Sequence, residues 1–201
     1  MYKSGFLQWI CCRKYIVMIE LILIVFGGLF ITSCGGGKKP DPEPQWLYQP
    51  KGIEITYHAN NMLNEFNGAS HVLQAVIYQL SDINKFMELT AYQDGLKTLL
   101  QAQNFDSSVQ AVKKIFINPG EDGNLVITRA EKCKWVGIVA GFFNLTPGRV
   151  TCFFEIPHKV EKQGFIFKKK VAVVMDLKAE IYFTEHDLKK IKSNEIKSNE
   201  K

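Results

Sequence analysis

The sequence has 201 residues, of which 46% are hydrophobic and 12% aromatic, and its formal net charge at pH 7 is +5. This length suits one domain with tails, and the apolar content is ample for a buried core. Leaving out Lys3, Arg13, Lys14 and Glu20, the charged side chains of residues 1–33, lowers the net charge to +3. A surplus this small does not indicate a nucleic-acid-binding protein.

The N-terminal segment carries a targeting signal. A nearly unbroken apolar run, residues 16–31, follows three basic side chains and leads into Thr32, Ser33 and Cys34. This order resembles a bacterial lipoprotein signal peptide with its lipobox. The resemblance implies that residues 1–33 are removed and that Cys34 becomes an acylated N-terminus. A retained membrane helix is the alternative, since Lys38 and Lys39 could follow a stop-transfer segment.

Residues 34–50 form a tether by composition. Three glycines follow Cys34, and four of the next thirteen residues are proline. Such a segment cannot fold by itself, and its proline-rich part is stiff and extended. We therefore expect a spacer between the lipid and a globular domain at residues 51–187. Trp46, Leu47 and Tyr48 could pack on that domain or lie at the membrane interface.

The domain opens with a β-strand at residues 53–59, where apolar and polar side chains alternate with a period of two. A second strand is predicted at residues 71–80, after an Asn-rich loop. Ser81 and Asp82 can cap the first of two short helices, which make a helical insertion at about residues 82–102. We expect these helices to cover an open edge or end of the sheet.

The loop between the first two strands, residues 60–70, combines polar and apolar side chains. Met62, Leu63 and Phe66 are its apolar residues and are candidates for exposure. A loop held between two strands is a natural recognition site. The alternative is that the three side chains tuck under the sheet edge.

The rest of the chain returns to β-structure. A turn signal at residues 118–123 separates two strands, and residues 134–143 are apolar on both faces apart from two glycines, as in a central strand. Residues 149–156 pair with it, and residues 165–175 and 179–183 make a last hairpin. Seven or eight strands with regular turns indicate a mainly β fold, a sandwich of two antiparallel sheets. Residues 188–201 are expected to be a Lys-rich low-complexity tail.

Few side chains suggest chemistry. The four histidines are scattered, without metal-ligand spacing, and we expect no metal, no cofactor and no enzymatic site. Cys133 and Cys152 are the thiols that remain after lipidation of Cys34. In a hairpin turning at residues 144–148 they lie about 23 Å apart, too far for a disulfide. We therefore expect both to remain thiols.

The order of several short motifs resembles the TssJ family of type VI secretion lipoproteins. The motifs are the lipobox, the Asn-containing loop, the segment from Ile77 to Asp82 that leads through Phe86 into helices, the turn Asn118–Glu121, and the strand Gly137–Phe143. The resemblance covers about residues 53–156. The chain departs from the family pattern in lacking a tryptophan after Gly148 and in its repeated C-terminal tail.

The resemblance implies a transthyretin-like β-sandwich, held by its lipid in the outer membrane and facing the periplasm. Gly35 follows the lipidated cysteine, where inner-membrane retention commonly uses aspartate. The implied partner is the periplasmic C-terminal domain of the inner-membrane protein TssM, and through it TssL. The family's partner-binding loop corresponds here to Asn60, Asn61, Met62, Leu63, Asn64, Glu65, Phe66, Asn67 and Gly68.

Two other functions remain open at this point. An envelope module that binds glycan or another ligand would favour an aromatic-lined concave face among Trp46, Tyr57, Trp135 and Tyr182. An envelope enzyme would require a pocket where histidines and carboxylates converge.

Overall fold

The computed structural model describes residues 40–164 and 169–194. The predicted signal peptide, Cys34 and the last residues of the tail lie outside these ranges. The described residues form ten strands and two short helices. The strands are β1 (Gln49–Ala59), β2 (Leu73–Leu80), β3 (Val109–Ile117), β4 (Asp122–Arg129), β5 (Trp135–Ala140), β6 (Thr151–Glu155), β7 (His158–Gln163), β8 (Lys169–Val174), β9 (Leu177–Phe183) and β10 (Leu188–Ser193), and the helices are α1 (Asn84–Thr90) and α2 (Gln93–Leu100).

The first sheet has the strand order β10-β9-β1-β4. Ile53, Ile55 and Ala59 of β1 are buried, as the alternating pattern predicts. Leu177, Ala179, Ile181 and Phe183 of β9 alternate in the same way and join the same core. β1 pairs antiparallel with β4 but parallel with β9, from Ile53 opposite Leu177 to Ala59 opposite Phe183. This sheet is therefore mixed, which differs from the purely antiparallel expectation.

The second sheet has the order β3-β2-β5-β6, and all of its pairs are antiparallel. β2 and β5 are buried along almost their whole length, and both are central strands. Their second face is covered by the helices. The Phe86 ring of α1 lies over Gly137, where an added Cβ would be 2.7 Å from the ring, and the Tyr78 hydroxyl donates to the Leu99 carbonyl of α2 at 2.6 Å.

The helical insertion thus covers a sheet face, and the expectation that it caps an edge or end is wrong. Apolar side chains of both sheets and both helices form one hydrophobic core. The predicted mainly β sandwich with a short helical insertion is confirmed.

The two ends of the sandwich differ in what they carry. At the loop end, the ends of β1 and β9 lie beside residues 60–72 and the turn at residues 118–121. The Asn60 amide donates to the Phe183 carbonyl, and the Gly120 amide donates to the Asn60 carbonyl. At the tether end, the start of β1 lies beside residues 130–134, where the Lys132 amide donates to the Trp46 carbonyl. About 20 Å of strand separates the two ends, since Ile53 and Ala59 are six residues apart.

The last strands pair differently from the prediction. β8 pairs with β7 in a separate two-stranded hairpin, and the Met175 amide donates to the Pro157 carbonyl at its base. The predicted hairpin of residues 165–175 with 179–183 is therefore wrong, because β9 joins β1 and β10 instead.

The solvated-tail prediction is also wrong for Leu188–Ser193. These residues form the edge strand β10, which pairs antiparallel with β9. Lysines at an edge discourage further strand addition, so a Lys-rich sequence is compatible with this position.

The cysteine prediction is confirmed for the described thiols. Cys133 and Cys152 are buried and are not joined by a disulfide. Cys152 lies opposite Ile138 in the β5–β6 pair, and Cys133 precedes β5. Burial raises the pKa of Cys133 to about 11.

Candidate functional site

The predicted partner-binding loop is tied down by its own backbone and by its asparagines. The Met62 amide donates to the Asn60 side chain at 2.7 Å, and the Leu63 amide donates to the Asn60 carbonyl at 2.9 Å. Asn64, Asn67 and Gly68 adopt left-handed backbone conformations, with φ of 51°, 52° and 78°. Asparagine and glycine tolerate this region best, so the Asn-rich composition has a conformational reason.

Leu63 and Asn64 are internal supports of the loop. Leu63 is fully buried in the core, and the His71 amide donates to its carbonyl at 2.9 Å. Asn64 is only 5% exposed. Its side-chain oxygen accepts from the Phe143 amide at 2.9 Å, and its side-chain nitrogen donates to the Val72 carbonyl at 3.4 Å. The expectation that Leu63 is exposed is wrong, while the tucked-under alternative holds for this residue.

Phe66 is the exposed aromatic residue of the loop, and it is paired with a second one. Phe66 is 49% exposed and Phe143 is 54% exposed. Their rings stack with centroids 4.6 Å apart and an interplanar angle of 22°. The edge of His71 meets the Phe143 ring at 4.9 Å. We call Phe66, Phe143 and His71 the aromatic cluster.

Other exposed residues of the loop frame this cluster. Met62 is 39% exposed, and Val72 at the loop's end is exposed as well. Asn61, Asn67 and Gly68 also lie at the surface. The loop thus presents apolar contact area bordered by amide groups, the composition typical of a protein-binding surface.

A shallow cavity of about 380 Å³ adjoins the aromatic cluster, and Phe66, Phe143, Arg149 and His186 are among its lining residues. Ionisable side chains at this cavity are held by neighbouring groups. A carboxylate oxygen of Glu65 lies 3.6 Å from His186 Nε2, and Arg149 Nη2 lies 2.9 Å from Asp187 Oδ2. Hydrophobic contact area beside fixed charges of both signs suits recognition of a polypeptide surface.

Asp187 holds the 184–187 turn in place. Partial burial opposes its ionisation, but hydrogen bonds from the Thr184 hydroxyl and from Arg149 outweigh burial and lower the pKa of Asp187. The Glu65 amide donates to the Glu185 carbonyl at 3.1 Å, which fixes this turn against the loop. The surface is therefore assembled before any partner arrives.

Sequence reasoning missed half of this surface. Phe143 was assigned to the central strand, but β5 ends at Ala140 and Phe143 follows it in a loop. Val72 and Arg149 were also not singled out, and His71 and His186 were considered only among the scattered histidines. The adjacent turn sequence, with Pro147 and Gly148, is the one local signal that the strand ends early.

The aromatic residues of the ligand-binding alternative are not brought together. Trp46 contacts His158, Tyr57 contacts Phe183, and Trp135 contacts Phe153. The Tyr182 hydroxyl accepts from the Asn60 side chain at 3.5 Å. These four residues do not form one concave face.

Two further findings concern the described part of the chain. No helix there is both long enough and apolar enough to cross a bilayer. No group of three or more His, Cys, Asp or Glu side chains within the same residues could hold a metal ion.

Fold and loop together define a β-sandwich domain that presents a braced aromatic surface at one end. The crystal structure of the type VI secretion lipoprotein TssJ1 from Pseudomonas aeruginosa has this fold, with a TM-score of 0.53 at 17% identity over 74% of this chain and 96% of that one. A second match is Serratia marcescens Lip, which is described as a membrane-bound component of the type VI secretion system. Its TM-score is 0.52 at 17% identity, over 70% of this chain and 96% of its own. A chain of a type VI membrane complex matches with a TM-score of 0.50 at 16% identity, over 75% of this chain and 100% of that one.

At these identities the structural likeness shows the fold alone. The family follows from the sequence. The model of the SciN family, described as type VI secretion lipoproteins with the names VasD, EvfM and TssJ, matches residues 51–194. The chain belongs to this family, and the predicted resemblance to TssJ is confirmed. No curated protein matches the chain significantly.

Proposed function

We propose that this protein is the outer-membrane lipoprotein of a type VI secretion membrane complex and that it anchors the periplasmic domain of TssM. Lipid on Cys34 holds one end in the outer membrane. The aromatic cluster at the other end binds TssM, which connects it to TssL and the inner membrane. The role is mechanical and requires no reaction. Family membership over residues 51–194 supports this proposal.

The observation that carries the partner-binding role is the stacked, half-exposed pair of Phe66 and Phe143. Two phenylalanine rings left in water are costly unless a partner covers them, and aromatic residues are enriched among the anchors of protein interfaces. Asn64 and Leu63 hold the loop rigidly beneath the rings. A surface that is already ordered loses little conformational entropy when it binds.

The arrangement of the two ends supports the same role. The tether enters at the end of the sandwich where β1 begins, and the aromatic cluster lies at the end where β1 stops. A lipid-anchored domain of this kind can present its binding surface away from the membrane that holds it. The tether and the binding loop therefore do not compete for one surface.

Binding to the purified periplasmic domain of TssM tests the proposal. Phe66→Ala and Phe143→Ala should each weaken binding by at least about tenfold, as removal of an interface anchor does. Tyr92→Ala is the matched control, because Tyr92 is 45% exposed and lies just before α2 on the outer face of the second sheet. Tight binding by both phenylalanine variants, with folding unchanged, would contradict the assigned surface.

Lipidation is tested separately. Cys34→Ala should abolish incorporation of radiolabelled palmitate and release the protein from the outer-membrane fraction, while binding of the purified domain to TssM stays the same. An acylated Cys34→Ala protein would contradict the assignment of Cys34.

A further inference from the structure

Two large side chains are exposed where the tether joins the domain. Leu47 and Tyr48 are 59% and 64% exposed, and they immediately precede β1. Trp46, the residue before them, packs edge to face on His158 with ring centroids 5.7 Å apart. The sequence left open whether these three residues pack on the domain or lie at the membrane interface. Packing on the domain fits Trp46 but not Leu47 or Tyr48, which we call the exposed pair.

The exposed pair is held in place by the backbone around it. The Lys132 amide donates to the Trp46 carbonyl at 2.7 Å, and the Arg129 guanidinium donates to the Leu47 carbonyl at 3.2 Å. Arg129 is only 4% exposed, and it also donates to the Met175 carbonyl at 3.2 Å. Because neighbouring segments fix this stretch of chain, the exposure of the pair is a property of the folded domain and not of a loose tether.

A bulge in β1 places the exposed pair at the end of the sandwich. Gln49 lies opposite Arg129 and Ile53 opposite Ile127, so β1 uses more residues than β4 to cover the same length. Such a bulge interrupts the regular ladder and bends the strand. The exposed pair lies beyond it, at the end of the sandwich and not on a face of the first sheet. A flat surface that contacts both side chains therefore meets the sandwich end-on.

The charges near the exposed pair are of both signs. Lys51 and Lys132 are exposed there, and so are Glu131 and Asp176 of the neighbouring segments. Charges of mixed sign favour neither an anionic nor a cationic partner, so apolar contact must supply the binding energy at this end. An aliphatic side chain beside a tyrosine, bordered by lysines, is the composition that proteins place at a lipid interface.

The connectivity of the chain indicates what covers the exposed pair. Thirteen residues lead from Cys34 to Leu47, a span of at most about 47 Å. A lipid on Cys34 holds the exposed pair at a high effective concentration beside the bilayer, so that a weak second contact is enough. The aromatic cluster lies at the opposite end of the sandwich and does not compete for this contact.

We propose that Leu47 and Tyr48 insert into the interface of the membrane that holds the acyl anchor, so that the sandwich stands end-on with the aromatic cluster facing away from the lipid. This inference rests on the proposed lipid anchor at Cys34. Tyrosine suits this position because its ring is apolar while its hydroxyl remains in contact with water. Docking converts a flexible attachment into an oriented one, with the partner-binding end directed away from the membrane.

The test anchors the chain to vesicles without acylation. A chain that begins at Gly35 carries an N-terminal His-tag, which nickel-chelating lipid holds on phosphatidylcholine vesicles. An environment-sensitive fluorophore is attached at Gln45→Cys, beside the exposed pair, in one sample and at Asn144→Cys, at the loop end, in the other. Cys133 and Cys152 are buried and are therefore protected from labelling.

The fluorophore at position 45 should report a lipid environment. Leu47→Ser with Tyr48→Ser should lower the docked-to-undocked ratio by at least about tenfold, because burial of one large apolar side chain is worth about that factor. Met87→Ser with Tyr92→Ser removes an exposed aliphatic side chain and an exposed tyrosine from the helical region. This matched control should leave docking unchanged.

Two further measurements identify the kind of contact. Tyr48→Trp should retain docking, since tryptophan favours the same interfacial position. Docking on phosphatidylcholine should persist as salt rises, because apolar contact is not screened by ions. Loss of docking at high salt would show that charge, and not the exposed pair, holds the domain to the lipid.

Several other results would overturn the inference. A fluorophore at position 45 that reports water in the wild type would show that this end does not contact lipid. Equal losses in the Leu47 and Tyr48 variant and in the Met87 and Tyr92 control would show that the contact is not specific. An equal response at position 144 would show that the domain is not oriented. Because the chelating lipid replaces the acyl anchor and TssM is absent, a failure here is distinct from a failure of acylation or of partner binding.

Discussion

Asn64 is the residue on which the geometry of the proposed binding surface depends most. It adopts a left-handed conformation with φ of 51°, and its buried side chain joins the loop to the Phe143 segment. We therefore expect Asn64→Ala to destabilise the domain through two separable effects. Alanine loses the side-chain hydrogen bonds, and it is also disfavoured at this φ.

The magnitudes follow from the two contacts and the backbone conformation. Loss of the hydrogen bond to the Phe143 amide costs about 1 kcal/mol. Holding a residue with a Cβ in the left-handed region costs about 1–2 kcal/mol. Asn64→Ala should therefore lower the free energy of unfolding by about 2–3 kcal/mol. Asn64→Gly, which keeps the backbone freedom, should lower it by about 1 kcal/mol.

Urea unfolding followed by circular dichroism measures both variants, with the free energy obtained by linear extrapolation. Equal destabilisation by alanine and glycine would refute the conformational part of the argument. Wild-type stability in both would refute the whole of it. Hydrogen exchange at the Phe143 amide gives an independent check, since that amide should lose protection in both variants.

Three further predictions concern the core. Leu63→Asp should prevent folding because a carboxylate replaces a fully buried side chain. Met62→Asp, at the exposed neighbouring position, should change the free energy of unfolding by less than about 0.5 kcal/mol, and circular dichroism distinguishes the two variants. Gly137→Ala should cost about 1–3 kcal/mol in urea unfolding because its Cβ would meet the Phe86 ring at 2.7 Å, and adding Phe86→Leu should recover part of the loss. Burial raises the pKa of Cys133 to about 11. The contribution of its neutral thiol to the free energy of unfolding is therefore complete below the pKa of an unfolded thiol and is lost as the pH rises towards 11. In urea unfolding, Cys133→Ala should show a shallower decline of stability above about pH 9 than the wild type.

The sequence predicts best where local periodicity and burial agree. β1 illustrates this, because every second residue from Ile53 to Ala59 faces the core, and the polar residues between them face outward. β5 was predicted as central because it is apolar on both faces. What its sequence could not show is that helix α1 covers the second face, with Phe86 filling the space that Gly137 leaves.

The failures occur where pairing between distant strands decides the structure. The sequence predicts a hairpin turn at residues 176–178, yet this segment leads from β8 into β9, which pairs with β1 more than a hundred residues away. Leu188–Ser193 has the composition of a solvated tail, but pairing with β9 makes it an edge strand. Composition reports neither interaction.

The proposed binding surface was half predictable for a similar reason. The loop at residues 60–68 was identified by its composition and by a family resemblance, and Met62 and Phe66 are exposed in it. Leu63 is buried because the loop closes on itself through the Asn60 and His71 backbone groups. Phe143 joins the surface only through folding, since it is far from the loop in the chain.

Site-specific photocrosslinking in cells would report whether the aromatic cluster contacts TssM. A photoreactive phenylalanine analogue at position 66 should crosslink to TssM, whereas the same analogue at position 92, on the helical face, should not. A crosslink from position 66 alone would identify the aromatic cluster as the partner-binding surface. Crosslinks of equal strength from both positions, or from position 92 alone, would contradict it.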